Sequence, residues 1–143
     1  MSEIVGIEEW LSDTLLADTG AGGVATLVAN RVYIDEAPQT SVYPLVLISA
    51  QAPGIDVVSV GPHRVMVNTL YWVRVVGKGA SKKALQATYD RIDTLLQAAG
   101  GLTSYIRVLM VNREQQPAVP PATVNGVRYV QLGGLYRAFV QAP

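Results

Sequence analysis

Apolar positions along the chain follow two different periods. From Ile4 to about Asp18 they recur at helical spacing, with Ile7, Trp10, Leu11 and Leu15 on one side. Glu3, Glu8 and Glu9 stand near the positive end of that helix, where aligned peptide dipoles favour negative charge. Thr19-Gly20-Ala21-Gly22-Gly23 stops it, because successive glycines weaken a helix. Val24–Ala29 has room for one more helical turn. The period then drops to two. Arg31–Asp35 alternates as a short strand, and Ala37-Pro38-Gln39-Thr40 reads as a loop. Tyr43–Gln51 is rich in Leu, Val and Ile and predicts a strand buried on both faces, with Pro44 near its start. Pro53-Gly54 breaks the run, Ile55–Val60 is apolar, and Gly61-Pro62 signals a turn.

Arg64–Val76 is the clearest strand. Val65, Val67, Thr69, Tyr71, Val73 and Val75 share one face. Arg64, Met66, Asn68, Leu70, Trp72 and Arg74 share the other, a mixture of charge and large apolar groups that suits cover by a partner. Ser81 is a suitable N-cap for a helix reaching about Ala99, whose stripe is Leu85, Thr88, Tyr89, Ile92, Leu95, Leu96 and Ala99. Gly100-Gly101 closes that helix. Tyr105–Val111 alternates as a strand. Arg113–Thr123, with three prolines, predicts an extended loop. Asn125-Gly126 is a two-residue hairpin signal leading into a last strand, Val127–Gln141, with Gly133-Gly134 as a bulge or bend. Helix, strands, helix, strands is not regular βαβ alternation. It predicts an α+β fold in one domain over residues 1–143: a mainly antiparallel twisted sheet of about four or five strands, with helices packed on one face.

Composition narrows the chemistry. Apolar residues are 50% of the 143 and charged residues 15%, against about 25% in typical domains. Eleven basic residues balance eleven acidic ones, so there is no basic field for general nucleic-acid binding and no polybasic membrane anchor. Few charges at zero net charge favour self-association. No apolar run approaches the ~20 residues a membrane helix needs. Met1–Trp10 carries three glutamates and no basic residue, unlike a signal peptide. Cysteine is absent and His63 is the single histidine, which removes disulfides, thiolate sites and two-histidine zinc motifs. No metal and no cofactor is expected.

Candidate catalytic arrangements fare poorly. No serine lies in a G-x-S-x-G elbow. His63 reads as a turn residue. Asp35-Glu36, Glu8-Glu9 and the pair Asp90 and Asp93 have nothing histidine-like beside them in sequence and read as solvated carboxylates. Gly77-Lys78-Gly79-Ala80-Ser81 joins a strand to a helix but lacks phosphate-loop spacing. Arginines that alternate with apolar groups on strands more often snorkel at a sheet edge, or pair with carboxylates of a neighbouring chain, than meet nucleic acid. Trp72, on the mixed face, reads equally as an interface anchor or a core residue. The residues read as a subunit or partner interface are Tyr43, Arg64, Met66, Trp72, Arg74, Arg113, Glu114 and Arg128.

Between Leu15 and Leu96 the chain resembles the bacteriophage tail terminator, or tail completion, proteins. The resemblance runs through Leu15-Leu16-Ala17-Asp18, then Leu27-Val28-Ala29-Asn30 and Arg31-Val32-Tyr33, matching an "R-[IV]-Y" segment after an N-terminal helix. An Ala37-Pro38-Gln39 loop and the proline-marked strand Tyr43-Pro44-Leu45-Val46-Leu47-Ile48 follow, with Tyr before Pro where the family usually has the reverse. The strand Val65–Val76 and the helix Ser81–Leu96 complete it. The resemblance implies a structural virion protein, not an enzyme. It implies a ring, a hexamer, that caps the head-proximal end of the tail tube and stops its growth. The implied partners are further copies of the chain, the major tail tube protein and a head-side neck or connector protein, with DNA passing through the lumen without sequence-specific contact. It is expected in the virion tail or neck, assembled in the host cytoplasm. The alternatives are another neck or tail component, such as a head-completion or tube protein, and a small α+β enzyme or ligand-binding module.

Overall fold

The computed structural model describes residues 3–51, 54–58, 64–102 and 106–141. In chain order they form α1 (Glu3–Leu16), α2 (Val24–Leu27), β1 (Val32–Ile34), β2 (Leu45–Ala50), β3 (Ile55–Val58), β4 (Arg64–Lys78), α3 (Lys82–Leu96), β5 (Ala99–Leu102), β6 (Arg107–Gln115), β7 (Ala122–Val124) and β8 (Val127–Gln141). The strands make one sheet in the order β1-β2-β4-β8-β6-β5, with β3 also paired to β4 and β7 to β8. Every pairing is antiparallel except β1 with β2, which is parallel.

This overturns the expected sheet of about four or five mainly antiparallel strands: the sheet is mixed and has eight. The difference lies in short or unpromising segments. Gly100-Gly101 was expected to close a helix reaching about Ala99, but α3 already ends at Leu96 and Ala99–Leu102 extends against β6 as β5. Polar Arg113–Gln115 continues β6 because β8 beside it offers a ladder. Ala122–Val124 becomes β7 because the Asn125-Gly126 turn folds it onto β8. Both turn residues have positive φ, 51° and 75°, as a two-residue hairpin loop of this kind requires. Ile55–Val58 of the apolar Ile55–Val60 segment pairs with β4. The expected Gly61-Pro62 turn, His63 and Tyr105 lie outside the described residues.

The bulge expected at Gly133-Gly134 is also absent. Arg74 faces Gly133 and Val73 faces Gly134 in unbroken register. A Cβ on Gly133 would lie 2.5 Å from the Cβ of Arg74, and one on Gly134 would lie 2.6 Å from the Tyr89 hydroxyl. These positions are glycine because a strand and a helix approach too closely for a side chain. The irregularities fall instead in β6, beside Met110 and Gln115.

One side of the sheet carries the helices. Ile7, Trp10, Leu11 and Leu15 of α1 join Ile92 and Leu96 of α3 in a single core. The sheet contributes Val46, Ile48, Tyr71, Val73, Val108, Val111, Tyr136, Ala138 and Val140. Burying each large aliphatic side chain contributes about 1.5–3 kcal/mol. Polar links fix the helices in place. The Tyr71 hydroxyl donates to the Ile4 carbonyl at 2.9 Å. The Asp18 carboxylate accepts the Val24 N–H at 2.9 Å, starting α2. Ser81 caps α3, its hydroxyl accepting from the Ala84 N–H at 3.3 Å. Arg31 Nε donates at 3.0 Å to the carbonyl of Pro44, which follows a cis peptide bond and leads into β2. No helix among the described residues is long and apolar enough to cross a membrane.

Candidate subunit interface

Strand alternation sends every second side chain of β4 and β8 away from the helices. On β4 these are Met66, Asn68, Leu70, Trp72, Arg74 and Val76; on β8 they are Gln131, Leu135, Arg137 and Phe139, with Gly133 between. Leu47 and Ser49 of β2 stand across from Arg74 and Trp72, while Met110 and Asn112 of β6 stand across from Phe139 and Arg137. Most of these side chains are half-buried by one another, and Met110 is exposed. The buried apolar residues of the helices pack against the opposite side of the sheet.

Two arginines stand on the open face in contrasting states. Arg137 is satisfied. It donates to Asn68 Oδ1 at 2.8 Å and to Glu114 Oε1 at 3.2 Å, and its Nε also pairs with Glu114. The guanidinium accordingly holds the Glu114 carboxyl below the usual carboxylate range. Arg74 instead stacks on indole, its guanidinium carbon 3.9 Å from the centroid of the Trp72 ring. No carboxylate among the described residues reaches it, and burial pulls its pKa down. Arg74 Nε, Trp72 Nε1 and the neighbouring Gln131 Oε1 are buried atoms without a hydrogen-bond partner. Each such atom costs about 1–3 kcal/mol. Gly133, directly across from Arg74, adds no side chain to fill the surface there. These three atoms are enclosed by their neighbours, while the Arg74 and Trp72 side chains as wholes stay half-exposed on the face. Trp and Arg in such settings are enriched at protein interfaces.

The sequence-predicted residues do not form one cluster. Met66, Trp72, Arg74 and Glu114 lie on the open face or its rim. Arg64 opens β4 opposite Val58, with its side chain outside the described part. Tyr43 packs edge-on against Tyr129, ring centroids 5.6 Å apart, at the end of the sheet near Lys78. Arg128 is exposed on the β7–β8 hairpin. Arg113 points to the helix side. It donates to the Tyr89 hydroxyl at 3.1 Å and lies 3.6 Å from Asp93, whose carboxylate also accepts from the Tyr136 hydroxyl at 2.8 Å. Burial, with these two acceptors, drives the Tyr136 pKa far up, so the phenol stays protonated.

Arg113 and Tyr89 also line a cleft of about 510 Å³ with Lys82, Lys83, Gln86 and Asp90. Asp93 is a hydrogen-bond acceptor and Ser81 a helix cap. Among the described residues no three His, Asp or Glu side chains gather as a metal site. Sequence reading missed Gln131, Leu135, Arg137 and Phe139. Their period-two spacing was available in Val127–Gln141, but the supposed glycine bend hid that β8 keeps one face throughout. No protein-family model and no curated protein matches the chain.

Proposed function

We propose that the protein is a structural component of a bacteriophage tail. In this reading it is a terminator that assembles into a ring on the head-proximal end of the tail tube, halts tube growth and offers a seat to the head-side connector. The reading places it in the virion and gives it no substrate. The observation that carries it is the open sheet face, where an arginine stacked on an indole stands among half-exposed apolar side chains that no helix covers. The likeness of Leu15–Leu96 to tail terminators supplies the biological setting. A closed ring needs two different surfaces on each copy, and the open face provides one that mixes large apolar side chains with Arg74 and Arg137. Zero net charge also suits a lumen that DNA must traverse without sticking.

Electron microscopy of the purified chain, alone and mixed with polymerising tube protein, tests the proposal. Closed rings of uniform size and tubes arrested at a capped end are expected. Compact monomers under both conditions overturn it. Long filaments of the chain by itself point instead to a tube subunit.

A further inference from the structure

The open face lacks an acid for Arg74, and the chain carries unpaired acids elsewhere. Asp35 and Glu36 are exposed just past β1, the strand at one margin of the sheet. Glu36 borders a shallow groove of about 400 Å³ between α1 and β1, lined also by Ser12, Tyr33 and Pro38. Glu8 on α1 is near enough for its carboxyl to be raised by Asp35, after the larger effect of burial. No cation pairs with Glu8, Asp35 or Glu36 among the described residues. Among the described residues, one surface therefore holds a half-exposed guanidinium without a carboxylate, and another holds carboxylates without a cation.

We propose that these two surfaces meet between neighbouring copies: the Glu36 carboxylate, flanked by Asp35, accepts from the outer nitrogens of the Arg74 guanidinium, stacked on Trp72, of the next chain. This rests on the ring reading and names its contact. A carboxylate delivered there would pair with the outer guanidinium nitrogens and neutralise the stacked cation, and charge-assisted hydrogen bonds of this kind are strong. The surfaces are different parts of the molecule, one a sheet face and the other a sheet margin. Each copy can therefore use its acid corner on one neighbour and its arginine face on the other, and the contact repeats until the circle closes.

Charge exchange tests the contact. Arg74→Glu and Glu36→Arg are made singly and together, and assembly is followed by sedimentation velocity and native mass spectrometry. Each single variant places like charges opposite each other and is expected to weaken assembly by at least about tenfold. Mixing the two single variants, or combining both changes in one chain, restores opposite charges at the contact and is expected to recover assembly. Single variants that assemble as well as the wild type overturn the inference, and so does a mixture that stays dissociated. Glu36 is exposed on a loop, so Glu36→Arg decides the matter even if Arg74→Glu impairs folding. A wild-type chain that stays monomeric defeats the ring reading itself. Wild-type rings indifferent to Glu36→Arg defeat this contact alone.

Discussion

Arg91 grips Asp18 with two parallel hydrogen bonds, Nε to Oδ2 at 2.8 Å and Nη2 to Oδ1 at 2.9 Å. The same carboxylate accepts the first N–H of α2, so one aspartate ties the glycine-rich turn after α1 to the outer side of α3. Asp18→Ala removes the cap and the bidentate pair together and is expected to cost about 1–2 kcal/mol, read as a lower midpoint in urea unfolding. The Arg91 hydrogen bond is the largest influence on the Asp18 carboxyl and holds its pKa below the ordinary value. The stabilisation is therefore complete above the unfolded-state pKa of about 3.9 and is lost as pH falls through the lower folded value. The gap between wild type and variant should stay level at neutral pH and narrow below about pH 4. A gap that widens on acidification would contradict this assignment.

Gly133→Ala should be among the more damaging single-methyl additions in the chain. The new Cβ would sit 2.5 Å from both the Arg74 Cβ and the Val73 carbonyl oxygen, in the middle of the longest ladder of the sheet. Backbone cannot yield there as a flexible side chain would. A loss of about 1–3 kcal/mol is expected, measurable by thermal or urea denaturation.

Tyr136→Phe leaves the core volume nearly unchanged and removes a donor to Asp93. Asp93 keeps Arg113 at 3.6 Å, so the carboxylate is not abandoned. The expected cost is about 1–2 kcal/mol. The same substitution at Tyr71 frees the Ile4 carbonyl and should loosen the start of α1. Hydrogen exchange of the α1 amides would speed up in Tyr71→Phe and stay unchanged in Tyr136→Phe.

Leu135 stands across from Trp72 on the open face and is only half-buried. Leu135→Lys is expected to leave the melting temperature within a few degrees of wild type while abolishing self-association at micromolar concentration. Analytical ultracentrifugation separates the two effects. An unchanged oligomer would show that the face is not what copies of the chain share.

Long periodic segments were legible in the residues alone. The α1 stripe of Ile7, Trp10, Leu11 and Leu15, the Ser81 cap, the two faces of β4 and the Asn125-Gly126 hairpin all follow from local spacing and turn chemistry. What escaped depends on neighbours. Ala99-Gly100-Gly101-Leu102 has no strand character of its own and becomes β5 only because β6 is alongside. Arg113 reads as a loop residue by polarity, yet its guanidinium is held by Tyr89, 24 positions earlier. The paired glycines of β8 look like a bend because spacing cannot show that Arg74 and Tyr89 crowd them from two sides. The candidate interface was half legible: Met66, Trp72 and Arg74 were placed on one face by alternation. Arg137 and Phe139 join them only through the β4–β8 register.

β8 is the latest described strand in the chain, yet it lies between β4 and β6 at the middle of the sheet. Both flanking strands precede it, so on the ribosome the edge each turns toward β8 stays unpaired until 127–141 has been synthesised. A fragment broken off earlier would offer two raw hydrogen-bonding edges side by side, and such fragments should clump rather than merely lack activity.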